Sequence, residues 1–183
     1  MRPFRSTLPT AIFALTFLTP ALTHAQTQGA SMPTTTQAAV IHRLYEECLN
    51  QNRLDLLGEL VSANVVGHGP TGEQVGLAAF QQSTQRSQNL FPDRHFTIDD
   101  VISSGDKVAA RWTMTATNTV PLGEIPPTGK RVTQHGIAIY RFEDGKIAET
   151  WLQLDLLGVL RQVGVQIPGL PAPAAPPTPQ PTR

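Results

Sequence analysis

The sequence has a single cysteine and no excess of charge of either sign. Lys and Arg together number 14, as do Asp and Glu, so the formal net charge is zero. A chain without net positive charge lacks the electrostatic basis for binding nucleic acid or an anionic membrane. The cysteine, Cys48, cannot form an internal disulfide. It falls on an apolar stripe at helical spacing, so we expect it to be buried.

Histidines are few, and their spacing gives no metal site. Five are present, one of them, His24, lies near the N-terminus, and no pair stands at a recognised ligand spacing. We therefore expect no metal and no organic cofactor.

Long apolar runs are also lacking. Residues 11–18 (AIFALTFL) are too few to cross a bilayer comfortably. Two arginines precede this run, and Thr23-His24-Ala25 follows it with the small residues of a cleavage site. We predict a signal peptide over residues 1–25, cleaved after Ala25, and a secreted or periplasmic mature protein. An uncleaved anchor or a buried helix is the alternative.

Composition divides the remainder into a linker, one domain and a tail. Residues 26–36 are small and polar, which is typical of a linker. Residues 166–183 are rich in proline and cannot pack a core, so we expect an extended, disordered tail. The domain between them, residues 37–165, has the periodicity of a folded unit.

The domain pattern places helices first and strands after them. Apolar spacing predicts helices over residues 37–49, 53–63, 76–89 and 156–163. Period-two alternation predicts strands over residues 65–68, 95–103, 107–117, 132–142 and 147–155. Residues 72–75 are expected to form a loop. The order predicts an α+β fold, a cone formed by a curved, mostly antiparallel sheet with N-terminal helices over it, enclosing an apolar pocket.

The last two strands form a hairpin whose loop length fixes the faces. A two-residue loop at Asp144-Gly145 would place His135 and Asp155 on opposite faces. A three-residue loop, with Glu143 included and Phe142 beside Lys146, would place them on one face. We prefer the three-residue loop, and the shared face would then hold these residues: His135, Ile137, Ile139, Ile147, Trp151, Gln153 and Asp155.

Four blocks of sequence resemble one protein family. They are LYEECLNQNRLDLLGELVSANVVGHGP, LFPDRHFTIDDVISSGDKVAARWTMTATNT, IPPTGKRVTQHGIAIYRFEDGKIAETW and LDLLGVLRQVG. In order and spacing they resemble SnoaL-like polyketide cyclases, also called ester cyclases, of the nuclear-transport-factor-2-like superfamily. This resemblance covers nearly all of the predicted domain.

The resemblance implies acid/base chemistry on a carbonyl compound, with an aspartate near the end of the last strand. Asp155 stands at that place, and His135 is the nearest candidate hydrogen-bond donor to an enolate. The further candidates for contact with the substrate are His68, Trp112, Trp151 and Gln153. Each has a plainer alternative: Asp155 could cap the helix that follows it, the histidines could be structural, and the tryptophans could belong to the core.

Three functions remain open at this stage. The first is an enzyme, a lyase or isomerase of the cyclase type acting on a hydrophobic small molecule in an enclosed pocket. The second is a non-catalytic exported domain that binds such a molecule. The third is an assembly module, a homodimer formed through an exposed sheet face with Tyr140, Leu152 and Leu154. No nucleic-acid partner is expected, and no membrane partner after signal removal.

Overall fold

The computed structural model describes residues 34–166 and 168–169 of the chain. The predicted signal peptide and nearly all of the predicted tail lie outside these residues. The helical elements are α1 (Thr34–Arg43), which continues as a π-helix (Leu44–Leu49), a 3-10 turn (Leu54–Leu56), α2 (Leu57–Leu60), α3 (Leu77–Leu90) and α4 (Leu156–Val163). The strands are β1 (Val61–Gly69), β2 (Gly72–Val75), β3 (His95–Ser104), β4 (Lys107–Thr117), β5 (Arg131–Glu143) and β6 (Lys146–Leu154).

The strands form one curved, unclosed sheet of six strands in the order β2-β1-β6-β5-β4-β3. Strands β1 and β6 are parallel, and the other neighbours are antiparallel. The predicted α+β class, with a curved and mostly antiparallel sheet and helices packed on it, is confirmed.

One face of the sheet is buried beneath α1 and the π-helix. Along β4 and β5 every second residue is buried, as the period of a strand requires. The helices contribute Ile41, Leu44, Tyr45 and Cys48 to this core. Burial of Cys48 is therefore confirmed, and its exposed fraction is 0%. We call this buried surface the inner face of the sheet, and the opposite surface the outer face.

Two elements differ from the sequence prediction, and α1 begins at Thr34, inside the segment 26–36 that is predicted to be a linker. The helix predicted over residues 53–63 ends at Leu60, because Val61 already belongs to β1 and pairs with Ile147 of β6. The loop predicted over residues 72–75 is strand β2, which pairs with β1 as a short edge strand. In both places tertiary pairing overrides local propensity.

The turn between β5 and β6 is the two-residue loop, the shorter of the two loops considered from the sequence. Glu143 pairs with Lys146, so Asp144-Gly145 is a two-residue loop, with φ values of 49° and 79°. Such positive values suit glycine and are tolerated by aspartate. The prediction of a three-residue loop is therefore wrong.

A β-bulge nevertheless brings His135 and Asp155 to one face. The pairing shifts between Arg141 and Phe142, so that Arg141 pairs with Glu149 and Ala148 is the extra residue. The outer face therefore carries all the residues predicted to share a face with His135, except Ile147. Ile147 lies between the turn and the bulge and is fully buried.

The two faces of the hairpin are the reverse of the prediction. The face expected to line an apolar pocket is exposed to solvent, and the face expected to be exposed packs against the core. Ile137 is 50% exposed and Ile139 40% exposed, whereas Tyr140 is 5% exposed. Leu152 and Leu154 are half-buried and pack against the core. The expected exposed face with Tyr140, Leu152 and Leu154 is therefore wrong, because these side chains point toward the helices.

Candidate functional site

A groove on the outer face collects three of the predicted site residues. It measures about 380 Å³ and is open to solvent. Its walls are Arg111, His135, Gly136, Ile137, Gln153, Leu154 and Asp155. The register explains the grouping, because Ile137 pairs with Gln153 and Gly136 with Leu154, while the backbone amide of Asp155 donates to the carbonyl of His135 at 2.9 Å. Asp155, His135 and Gln153 are thus neighbours, as the sequence predicts.

The surroundings of these residues differ from the expectation. His135, Gln153 and Asp155 are all exposed. The water-poor pocket expected around them is therefore wrong for this part of the sheet. The bulge at Ala148 and the packing of the helices on the opposite face account for the difference.

Asp155 caps α4. Its Oδ1 accepts a hydrogen bond from the backbone amide of Gly158 at 2.7 Å, which satisfies one of the free amides of the first helical turn. At the other end of the helix, Gly164 is the C-cap, with a left-handed φ of 103°. Capping, one of the two roles open for Asp155, is what the described contacts show.

His135 is held by a short hydrogen-bond network. The Oγ1 of Thr113 donates to Oδ2 of Asp99 at 2.8 Å and lies 3.2 Å from Nδ1 of His135. A hydroxyl has one proton to donate, and here it goes to the carboxylate. Thr113 must therefore accept a proton from Nδ1, so the neutral imidazole carries its hydrogen on Nδ1. The Nε2 atom is left with a free lone pair.

Arg111 joins the same network. Its Nη1 donates to Oδ2 of Asp99 at 2.9 Å, so one carboxylate oxygen organises both Arg111 and Thr113. Asp99 reaches both because the β3–β4 pairing shifts between Ile98 and Asp100, which leaves Asp99 as the bulged residue. The sequence analysis did not single out Asp99, Thr113 or Arg111 as site residues. The alternation along β4 could have found Thr113 and Arg111 together.

His68 and Trp151 lie farther along the outer face and outside the groove lining. They pair across β1 and β6, and their rings stack at 5.6 Å with an interplanar angle of 15°. His68 Nε2 lies 3.0 Å from Oε1 of Glu149, and Nδ1 lies 3.5 Å from Oε2 of Glu73. The hydrogen bond with His68, followed by that from Arg141, lowers the pKa of Glu149. These contacts describe a polar cluster separate from the groove.

Trp112 is on the inner face and belongs to the core. It is 2% exposed and lies against Tyr45 and Phe96, with ring centroids 6.2 and 5.1 Å away. The hydroxyls of Tyr45 and Tyr140 are 2.7 Å apart beside it. Burial raises the pKa of both phenols, so both stay neutral near pH 7. The structure does not bring Trp112 together with the other predicted site residues.

Within residues 34–166 and 168–169, no three His, Cys, Asp or Glu side chains come close enough to hold a metal ion. Across the same residues, no helix combines the length and the apolar character needed to span a bilayer.

Comparison with known proteins identifies a family whose model the sequence matches. Residues 39–163 match the family model of SnoaL-like polyketide cyclases. No functionally curated protein matches the chain.

Solved structures share the fold. A SnoaL-like polyketide cyclase from Agrobacterium tumefaciens is 28% identical, with a TM-score of 0.60, over 70% of this chain and 98% of the other. IdmH from Streptomyces antibioticus is 29% identical, with a TM-score of 0.64, over 70% and 99%. TsrD from Streptomyces laurentii is 26% identical, with a TM-score of 0.66, over 73% and 98%.

Proposed function

The chain belongs to the SnoaL-like polyketide cyclase family, and from that premise we propose that it catalyses proton transfer on a hydrophobic carbonyl compound bound in the outer groove. The observation that carries the proposal is the network that fixes His135 with a free Nε2. A groove of about 380 Å³ suits a small molecule. The side chain of Ile137 supplies an apolar wall, and the polar side chains of Arg111, His135, Gln153 and Asp155 lie around it.

His135 is the proposed base. Its Nε2 takes a proton from the carbon next to the carbonyl, and the electron pair of the broken C–H bond forms the enolate. The enolate carbon then attacks a second carbonyl of the same molecule and closes a ring, as in an intramolecular aldol reaction. The proton held on Nε2 passes to the new alkoxide, so the imidazole returns to its starting state.

Arg111 is the proposed partner of the enolate oxygen. Arg111 lines the groove, and the hydrogen bond from its Nη1 to Asp99 fixes the position of the guanidinium. Its remaining N–H groups can donate to an oxyanion, which is where negative charge develops in the reaction. Asp99 is thereby a positioning residue for both the base and the cation.

Asp155 has a supporting role in this proposal. One carboxylate oxygen is bound to the amide of Gly158, so the side chain is fixed at the start of α4 and forms one end of the groove. Gln153 offers an amide on the neighbouring wall for hydrogen bonding to the substrate.

Binding without catalysis is the second candidate. The observation in its favour is that His135, Gln153 and Asp155 are exposed to water. Water competes for hydrogen bonds and screens charge, so an exposed site stabilises an enolate less than a closed one does.

Exchange of carbon-bound hydrogen for deuterium separates the two candidates. The full-length protein is incubated in D₂O with a set of aryl methyl ketones, beginning with acetophenone, and exchange of the methyl protons is followed by NMR. We expect faster exchange than in buffer, a loss of roughly 100-fold in His135→Gln, and no loss in His95→Gln, which changes an exposed histidine outside the groove. Binding of these ketones without enhanced exchange would instead favour the binding domain.

A further inference from the structure

Arg94 is a buried arginine just before β3. Only 5% of the residue is exposed. Its backbone amide donates to the carbonyl of Phe91 at 3.2 Å, and its guanidinium carbon lies 5.5 Å from the centroid of the Phe96 ring. The side chain is therefore packed into the molecule and does not extend into solvent.

Among the residues that the structure describes, two nitrogens of this guanidinium have no hydrogen-bond partner. They are Nε and Nη2, and both are buried. These two atoms form one edge of the planar group, and their N–H bonds point the same way. That edge is the fork with which arginine holds two oxygens of a carboxylate or phosphate.

The neighbouring side chains do not neutralise Arg94. Burial, the largest effect, raises the pKa of the Cys48 thiol to about 11, so the thiol is protonated at neutral pH. Asp55 contacts Arg53 at 3.4 Å on the surface. Burial lowers the pKa of Arg94 to about 10, so the guanidinium still carries its charge near pH 7. Among the described residues Arg94 is thus a buried cation without an acidic partner.

The surrounding backbone is held in an uncommon arrangement. Cys48 belongs to the π-helix, a rare conformation that is frequently found at functional sites. Asn50, just after it, donates from Nδ2 to the carbonyl of Phe96 at 2.9 Å and accepts from its amide through Oδ1 at 2.8 Å. The end of the π-helix is therefore fixed to the start of β3 beside Arg94.

We propose that the Nε–Nη2 edge of Arg94 is a binding site for the oxyanion group of a small ligand, a carboxylate or a phosphate. An unpaired buried cation is unfavourable, and a two-oxygen anion supplies both the missing charge and the two missing acceptors. This site is separate from the outer groove and does not depend on the chemistry proposed there.

The side-chain Nε–Hε signal of Arg94 provides the test. The full-length protein, labelled with ¹⁵N, is titrated with sodium benzoate and, separately, with sodium phosphate at constant ionic strength set by sodium chloride. We expect a saturable shift of the Arg94 signal with one of the two anions, and the anion that acts identifies the ligand class. No saturable shift with either, or an equal shift with chloride alone, overturns the proposal.

Variants make the test specific. Arg94→Gln removes the charge and the fork, and binding of the active anion should weaken by about tenfold or more. Arg53→Gln removes a nearby exposed arginine and should bind as the unaltered protein does. Equal binding by Arg94→Gln overturns the proposal. If Arg94→Gln does not fold, the titration of the unaltered protein decides alone.

Discussion

The carboxylate of Asp155 and the backbone amide of Gly158 are joined by a hydrogen bond of 2.7 Å, which makes Asp155 the N-cap of α4. The family resemblance points to the same aspartate as an acid/base group. The two roles make different demands, because a cap needs only an acceptor oxygen, whereas a base needs a carboxylate that can take up a proton. Substitutions that keep or remove the oxygen separate them.

Asp155→Ala should lower the free energy of unfolding by about 1 kcal/mol, because the cap is lost. Asp155→Asn keeps an acceptor oxygen and should lose little stability. Its ketone exchange should stay close to that of the unaltered protein, since His135 is the proposed base. Urea unfolding and the deuterium assay measure the two quantities. A fall of roughly 100-fold in exchange for Asp155→Asn, with stability unchanged, would make Asp155 the base.

The sequence alone predicts the order of the elements except for β2, and it predicts the alternation within β4. Residues such as Trp112 and Arg111 alternate between apolar and polar, and they do face opposite sides of the sheet. Both faces of the hairpin carry apolar residues, so the sequence does not show which face the helices cover. Ile137 and Ile139 are as apolar as Tyr140 and Leu152, and only the packing of the helices decides between them.

The two β-bulges limit how much of the candidate site can be predicted from the sequence. Ala148 and Asp99 are the extra residues in two strand pairs, and neither residue type marks a bulge in a sequence. The grouping of His135 with Asp155 was predicted, although through a loop length that the structure does not have. The Asp99–Thr113–His135 network could not be predicted, because it depends on the bulge that turns Asp99 toward β4.

Asp93 should make part of the stability depend on acid pH. Its Oδ2 accepts from the hydroxyl of Thr117 at 2.6 Å, and its Oδ1 accepts from the Thr117 amide at 2.9 Å. These bonds, the hydroxyl first, lower the pKa of Asp93 below its ordinary value of 3.8. A lowered pKa in the folded state stabilises the fold above pH 3.8, and this contribution is lost as the pH falls through the folded value.

Thr117→Val should therefore raise the pKa of Asp93 toward 3.8, and a ¹³C NMR titration of the carboxyl carbon measures it. Thr119→Val, which makes the same change at an exposed threonine two residues further on, is the control and should leave the titration unchanged. An unchanged pKa in Thr117→Val would show that the hydroxyl does not stabilise the carboxylate.

Export is tested by the mass of the mature chain. The apolar run over residues 11–18 and the site Thr23-His24-Ala25 predict cleavage after Ala25. The intact mass of the exported protein should therefore correspond to a chain that begins at Gln26. Ala25→Tyr places a large side chain at the cleavage site and should leave the longer chain. An exported, unaltered protein that retains residues 1–25 would contradict the prediction.

Gly136 is a buried strand position without room for a side chain. It pairs with Trp112 on the neighbouring strand, and the indole lies where a Cβ would be, with Cη2 and Cε2 2.5 and 2.6 Å from that point. Tyr45 and Phe96 pack against the same indole and limit its movement. Gly136→Ala should lower the free energy of unfolding by about 1–3 kcal/mol through overpacking, which appears as a fall of several degrees in Tm.

A matched control and a double mutant test this explanation. Gly69→Ala adds the same methyl group to another strand glycine, where no atom lies within 4 Å of the new Cβ, so the expected change is within about 0.5 kcal/mol. Trp112→Phe replaces the indole with a smaller ring and opens space above Gly136. The cost of Gly136→Ala should then be smaller in the Trp112→Phe background by about 0.5 kcal/mol or more. Additive costs in thermal and urea unfolding would show that the indole is not what excludes a side chain at residue 136.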